Sequence, residues 1–142
     1  SCQIPSRLMK VKKISHIAIA GDDPEQSKVL YEDILGLNFT GSELVEREGV
    51  NTHFFGVGES KIELLEPLTE DSPVGKFLEK RGPGLHHIAL EVEGLDAYVA
   101  RLKAANIRLL SDEPQLGAHG MRIIFIHPKS TGGVLIELSE QQ

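Results

Sequence analysis

Two short stretches of the chain repeat one order of apolar and polar positions. Ile14-Ser15-His16-Ile17-Ala18-Ile19-Ala20 and Leu85-His86-His87-Ile88-Ala89-Leu90-Glu91-Val92 share His-Ile-Ala followed by an aliphatic residue. Both are rich in β-branched and aliphatic residues and bounded by Gly, Pro or Asp, which predicts strands. Side chains alternate along a strand. Ile14, His16, Ala18 and Ala20 therefore share one face, and Ser15, Ile17 and Ile19 the other. In the second stretch Leu85, His87, Ala89 and Glu91 share a face, opposite His86, Ile88, Leu90 and Val92. Parity thus pairs His16 with His87, not His86, and turns both away from the more apolar face.

Two later strands complete the echo. Ser60-Lys61-Ile62-Glu63-Leu64-Leu65 and Gly133-Val134-Leu135-Ile136-Glu137-Leu138 each carry one carboxylate between apolar neighbours. The histidines lie 71 positions apart (87 − 16) and the glutamates 74 (137 − 63). The chain reads as two copies of one unit, each with a His near its start and a Glu near its end. Only two copies are present, so the expectation is one pseudo-symmetric domain and not a solenoid.

The remaining pattern fills in both copies. Asp23 suits a helix N-cap, Pro24 the first helical position and Gln26 a capping box. Val29, Leu30, Tyr31 and Ile34 are expected to form the buried stripe of that helix, and Gly36 to end it. Strands are predicted over 37–43, 50–57 and 61–65, with turns at Glu48-Gly49 and Gly58-Glu59-Ser60. Residues 67–83 bridge the copies, and Ser72-Pro73 caps a short helix through Lys80. The second copy repeats the order. A helix follows over about 95–105, with Ala97, Ala100, Leu102 and Ala104 on its inner side. Strands are expected over 108–110, 121–127 and 134–138, and a loop over 112–120.

Composition narrows the function. The 142 residues fit one domain with a real core. A net charge of −6 argues against nucleic acid, and no Trp with two Tyr offers little base stacking. No apolar run approaches a membrane span. Cys2 is the only cysteine, so no intrachain disulfide or thiolate metal site is expected, which fits a reducing compartment. Residues 1–7 show no apolar core of a secretory signal. Met9 would serve as a natural start, with residues 1–8 added ahead of it. The expected location is cytoplasmic, or the mitochondrial matrix in a eukaryote.

The paired His-Ile-Ala strands, the Tyr31-Glu32-Asp33-Ile34-Leu35-Gly36-Leu37 helix end and the final strand resemble the vicinal-oxygen-chelate superfamily. Within it, three segments are similar to the methylmalonyl-CoA epimerase family: Ile62-Glu63-Leu64-Leu65-Glu66-Pro67-Leu68, Gly84-Leu85-His86-His87, and the run from Phe125 to Leu138. The resemblance extends from about Ile14 to the C-terminus. Its most specific part is His127-Pro128-Lys129 followed by Gly132-Gly133-Val134-Leu135. It implies an α+β fold of two pseudo-symmetric βαβββ modules, about 12–68 and 84–139 with a linker over 69–83. These would form a curved eight-stranded mixed sheet around one metal site. It also implies His16, Glu63, His87 and Glu137 as ligands, although some members carry Gln at the position of Glu63. A homodimer is implied by the family alone.

Physical chemistry supports that ligand set. A single strand histidine is usually a hydrogen-bonded structural residue, and a single strand glutamate can pair with a lysine. Two carboxylates turned into one cup repel each other and lose hydration, which a divalent cation relieves. Two imidazoles and two carboxylates suit Mn, Fe, Co, Ni or Zn; the family points to cobalt. The parity argument leaves His86 packed on the outer face. His53, His119 and His127 lack repeat partners.

The chemistry implied is epimerisation of methylmalonyl-CoA at C2 through an enolate that the metal stabilises. Glu137 matches a family position that serves as ligand and base. The family's second acid falls at Thr52, a poor proton carrier; His53 beside it faces the other way, and Glu46 and Glu48 lie in the preceding turn. Coenzyme A is polyanionic and the chain is acidic, so local cations must meet the phosphates. Lys129 is the first candidate, ahead of Lys76, Lys80 and Arg81. A lactoylglutathione lyase would use the same fold and a related enediolate. An extradiol dioxygenase would leave Glu63 unexplained. A drug-binding resistance protein of this fold would not need an inward Glu in both modules, and typically offers aromatic walls, which 5% aromatic content largely lacks.

Overall fold

The computed structural model describes residues 8–142. Cys2 and the reading of residues 1–7 lie outside them. The described chain divides into two units, residues 16–86 and residues 8–15 with 87–142. The boundary falls inside two strands, β1 (Lys10–Ala20) and β5 (Gly84–Glu93).

In the unit 16–86, β1 is followed by α1 (Pro24–Lys28), β2 (Asn38–Val45), β3 (Val50–Val57), β4 (Ser60–Pro67) and α2 (Pro73–Arg81). The strand order is β2-β3-β4-β1. β1 and β4 run parallel; β2–β3 and β3–β4 are antiparallel. Both helix starts use the expected caps: Asp23 accepts the Gln26 N–H at 3.1 Å, and Ser72 the Gly75 N–H at 3.1 Å. Satisfying these otherwise orphaned donors stabilises each helix end by about 1 kcal/mol.

The predicted stripe of α1 is not buried. Val29, Leu30 and Ile34 are exposed, and only Tyr31 packs inward, its ring 5.2 Å from Phe55. The cause is local. Val29–Ile34 is a π-helical turn, closed by the Leu35 N–H on the Leu30 carbonyl at 2.9 Å. One extra residue per turn shifts the phase, so positions spaced for an α-helix no longer share a face.

In the other unit, β5 is followed by α3 (Leu95–Ala104), β6 (Gln115–Leu116), β7 (Arg122–Ile126) and β8 (Ile136–Glu140). The order is β6-β7-β8-β5, with β5 and β8 parallel and the other pairs antiparallel. Strand, helix, three strands, and a first strand parallel to the last thus occur twice. The eight strands and their mixed directions match the expected fold class.

α3 lays Leu95, Val99 and Leu102, spaced i, i+4, i+7, against Val92, Ile124, Ile126 and Leu138. Burying Leu95 alone stabilises by roughly 1.5–3 kcal/mol. Ala100 and Ala104, expected inside, are exposed, because the longer aliphatic side chains fix the helix rotation. Gly94 has no side chain to cap α3, and Glu140 does so instead, accepting the Gly94 N–H at 2.7 Å and the Leu95 N–H at 3.2 Å.

Two further expectations change. Residues 108–110 form no strand; only an isolated bridge joins Leu109 to Ile126. The outermost strand is instead β6, inside the predicted loop. The last strand begins two residues late, because Gly133 adopts φ 105° and the Val134 N–H is tied to the Thr131 hydroxyl at 3.1 Å.

Candidate metal centre

In the unit 16–86, the parallel register places Ala18 opposite Glu63. Residues that oppose one another share a sheet face, so His16, two residues before Ala18, is on the face of Glu63. Its Nδ1 lies 2.9 Å from Glu63 Oε2. In the other unit Ala89 opposes Glu137, and His87 Nε2 lies 3.3 Å from Glu137 Oε1. The repeat therefore holds at the level of register. In each copy the histidine precedes by two residues an alanine that faces the glutamate. Ala18 and Ala89 are fully buried, and all four polar residues are at most 7% exposed.

A carboxylate at this depth is costly unless its charge is met. Each glutamate meets an imidazole nitrogen, and the lone pairs that share a proton in such a pair are the ones that ligate a cation. One imidazole nitrogen and one carboxylate oxygen per unit form a borderline donor set for first-row divalent ions. One aromatic and one hydroxyl flank the Glu137 pair. Phe125 opposes Glu137 and packs its ring edge-on against His87, 5.2 Å between centroids. Ser139 lies two residues beyond Glu137 on the same face. Its buried hydroxyl has no hydrogen-bond partner among the described residues.

His86 is turned to the opposite face, its ring 4.9 Å from Phe77, as parity predicts. Thr52 is 2% exposed on β3. His53, its neighbour, points to the other face, where Nδ1 meets the Ser42 hydroxyl at 2.7 Å and Nε2 meets Glu66 at 3.0 Å. Lys129 is exposed in a 3-10 turn, Pro128–Ser130, whose start is fixed by the Lys129 N–H donating to His127 Nδ1 at 3.0 Å. Burial, with the Arg108 and Lys129 cations adding, holds His127 below the usual imidazole range, which keeps that nitrogen free to accept. Lys76, Lys80 and Arg81 are exposed on α2.

Sequence reasoning did not single out Glu43. It lies on β2 directly opposite Thr52. Plain alternation groups Glu43 with Phe39, but Phe39 packs on Phe55, 5.4 Å away, on the face that also takes Tyr31. A bulge between Phe39 and Gly41 reverses the parity, and Glu43 falls on the His16–Glu63 face. No feature of the local sequence beyond Gly41 signals that bulge.

Residues 15–125 match the glyoxalase/bleomycin resistance protein/dioxygenase superfamily. The chain is 42% identical to the mitochondrial methylmalonyl-CoA epimerase of Mus musculus, over 97% of this chain and 78% of that one. The chain belongs to the methylmalonyl-CoA epimerase family. Another family member, the ethylmalonyl-CoA/methylmalonyl-CoA epimerase of Cereibacter sphaeroides, is 42% identical over 92% of this chain and 98% of its own. The solved methylmalonyl-CoA epimerase of Mycobacterium tuberculosis superposes with a TM-score of 0.88 at 38% identity, covering 93% of this chain and 89% of that one. Among epimerase family members, then, this chain is similar over nearly its whole described length.

Proposed function

We propose that this chain epimerises methylmalonyl-CoA at C2, using one divalent ion held by His16, Glu63, His87 and Glu137. The observation that carries the reading is the repeated register: a buried His–Glu pair in each unit, placed identically relative to Ala18 and Ala89. The family supplies the substrate class, since relatives about 40% identical act, by name, on methylmalonyl-CoA. When bound, the ion supplies positive charge that offsets the charge an enolate places on the thioester oxygen. Cobalt is the favoured activating ion, and a homodimer the favoured assembly.

The residues of the chain do the rest. Glu137 would help hold the ion and also accepts the C2 proton at its carboxylate, a transfer requiring hydrogen-bond reach to C2. Phe125 beside His87 excludes water from that side. Lys129, projecting from a turn pinned at both His127 and Thr131, meets a coenzyme A phosphate. Thr52, buried opposite Glu43, holds a hydrogen bond and not a proton, because its hydroxyl does not ionise near neutral pH. No described helix is long and apolar enough to cross a membrane; the proposed compartment is the cytoplasm, or the mitochondrial matrix in a eukaryote.

Proton exchange tests the reading directly. In heavy water the metal-loaded protein is expected to replace the C2 hydrogen of methylmalonyl-CoA with deuterium, and chelation to stop it. Absence of exchange, together with turnover of the methylglyoxal–glutathione adduct, would assign the chain to the lyase chemistry of the same fold.

A further inference from the structure

We propose that Lys61 binds the free carboxylate of the methylmalonyl group, and so selects acyl-CoA thioesters that carry a carboxylate on C2 over those that do not; this rests on the epimerase reading above. The two classes of thioester differ by one negative charge. A cation on the face of His16 and Glu63 reads that difference directly, through a charge-assisted hydrogen bond. The sheet register of the unit 16–86 identifies one. Lys61 opposes His16 on β1 and Gly56 on β3. Opposed residues and their i±2 neighbours share a face, so His16, Lys61 and Glu63 stand on one side of the sheet.

The other cations of the unit do not qualify. Strands β2, β3 and β4 hold no further Lys or Arg. Lys28 sits over the Phe39 ring at 4.6 Å, on the reverse face that takes Phe55 and Tyr31. Arg47 belongs to the 3-10 turn Glu46–Glu48, and Lys76, Lys80 and Arg81 to α2, all outside the paired strands. In the other unit, Lys12 is already engaged by Glu91 at 3.1 Å.

Local structure holds Lys61 available for an anion. Its ammonium stands 5.5 Å from the centroid of the Phe54 ring, which is buried and opposes Glu63. A ring face attracts a cation, and this contact lays the long side chain along the site side of the sheet. Gly56, directly across from Lys61, has no side chain, so that flank stays open. Among the described residues no carboxylate lies within ion-pair distance of the ammonium. Lys61 is half-buried. It has thus given up part of its hydration without gaining an anion in return, a cost that a ligand carboxylate relieves. The same cation offsets the repulsion that Glu63, two residues along, exerts on an incoming carboxylate. A thioester without the carboxylate gains nothing from Lys61.

The test compares the equilibrium binding of methylmalonyl-CoA and propionyl-CoA, which lacks the carboxylate, to metal-loaded wild type, Lys61→Met, Lys61→Arg and Lys28→Met. Expected for Lys61→Met is a weakening of methylmalonyl-CoA binding by about tenfold or more, the scale of one hydrogen bond to a charged group. Propionyl-CoA binding should be unchanged, and Lys61→Arg should recover most of the loss. Lys28→Met removes the same charge and a matching ring contact on the reverse face, and should alter neither ligand. Unaltered methylmalonyl-CoA binding by Lys61→Met overturns the proposal. Equal losses for the two thioesters overturn it too, since that pattern marks a structural role or a contact with the coenzyme A portion. An equal loss in Lys28→Met also overturns it, by showing an effect of overall charge. A wild type that binds both thioesters alike and does not exchange the C2 hydrogen of methylmalonyl-CoA overturns the epimerase reading itself, a failure visible before any substitution is made.

Discussion

Glu137→Gln is expected to lose two or more orders of magnitude in epimerisation rate, with the fold intact. Glu137 is 5% exposed and sits 3.3 Å from His87, opposite Ala89 on β5. A glutamine occupies the same volume and can still accept a hydrogen bond, so packing is preserved. It cannot take up a proton at neutral pH, and general base catalysis of this kind contributes about 10²–10⁴-fold. Removing one carboxylate also takes one negative charge from the proposed ligand set and is expected to weaken the ion. Thr52→Val provides the contrast. It removes at most one orienting hydrogen bond, worth about 1 kcal/mol, and a loss of about tenfold or less is expected. Steady-state rates of both metal-saturated variants decide the matter. A Thr52→Val enzyme as slow as Glu137→Gln would show that the second proton path runs through Thr52.

His87→Ala is expected to abolish metal binding, whereas His86→Ala should keep about one ion per chain. The two histidines are adjacent in sequence and opposite in the sheet. His87 is buried against Glu137 and Phe125; His86 lies against Phe77. Losing His87 removes an imidazole donor and takes away the nitrogen 3.3 Å from the buried Glu137 carboxylate, a costly change. Losing His86 removes one aromatic contact, worth about 0.5–1.5 kcal/mol beyond burial. Metal analysis of the purified variants reads the difference. Metal loss in the His86 variant alone would contradict the strand register on which the site is built.

How much of this was legible in the sequence depends on which physical rule governed each element. The two-residue period of a strand is rigid, so parity alone separated His87 from His86 and aligned His16 with it. The near-constant spacing of His and Glu between copies made Glu63 and Glu137 readable as equivalents, and the structure gives both the same register. Caps were readable because they depend on three or four adjacent residues: Asp23 with Gln26, and Ser72 with Gly75. What failed were places where backbone geometry departs from the regular period. The π turn at Val29–Ile34 rotates the expected stripe outward. The bulge at Phe39/Gly41 reverses the parity of β2, which concealed Glu43. Gln115–Leu116 is too short for any period to register, so the pattern predicts loop there.

The central claim is that two repeated His–Glu pairs act together on a single ion. Titrating metal-free protein with Co(II), while following epimerisation of methylmalonyl-CoA, tests it most directly. Activity is predicted to be absent after chelation, to rise linearly with added metal and to saturate at one equivalent per chain. Full activity in the metal-free protein, or a break only at two equivalents, would contradict the claim, the latter by showing that each pair holds its own ion.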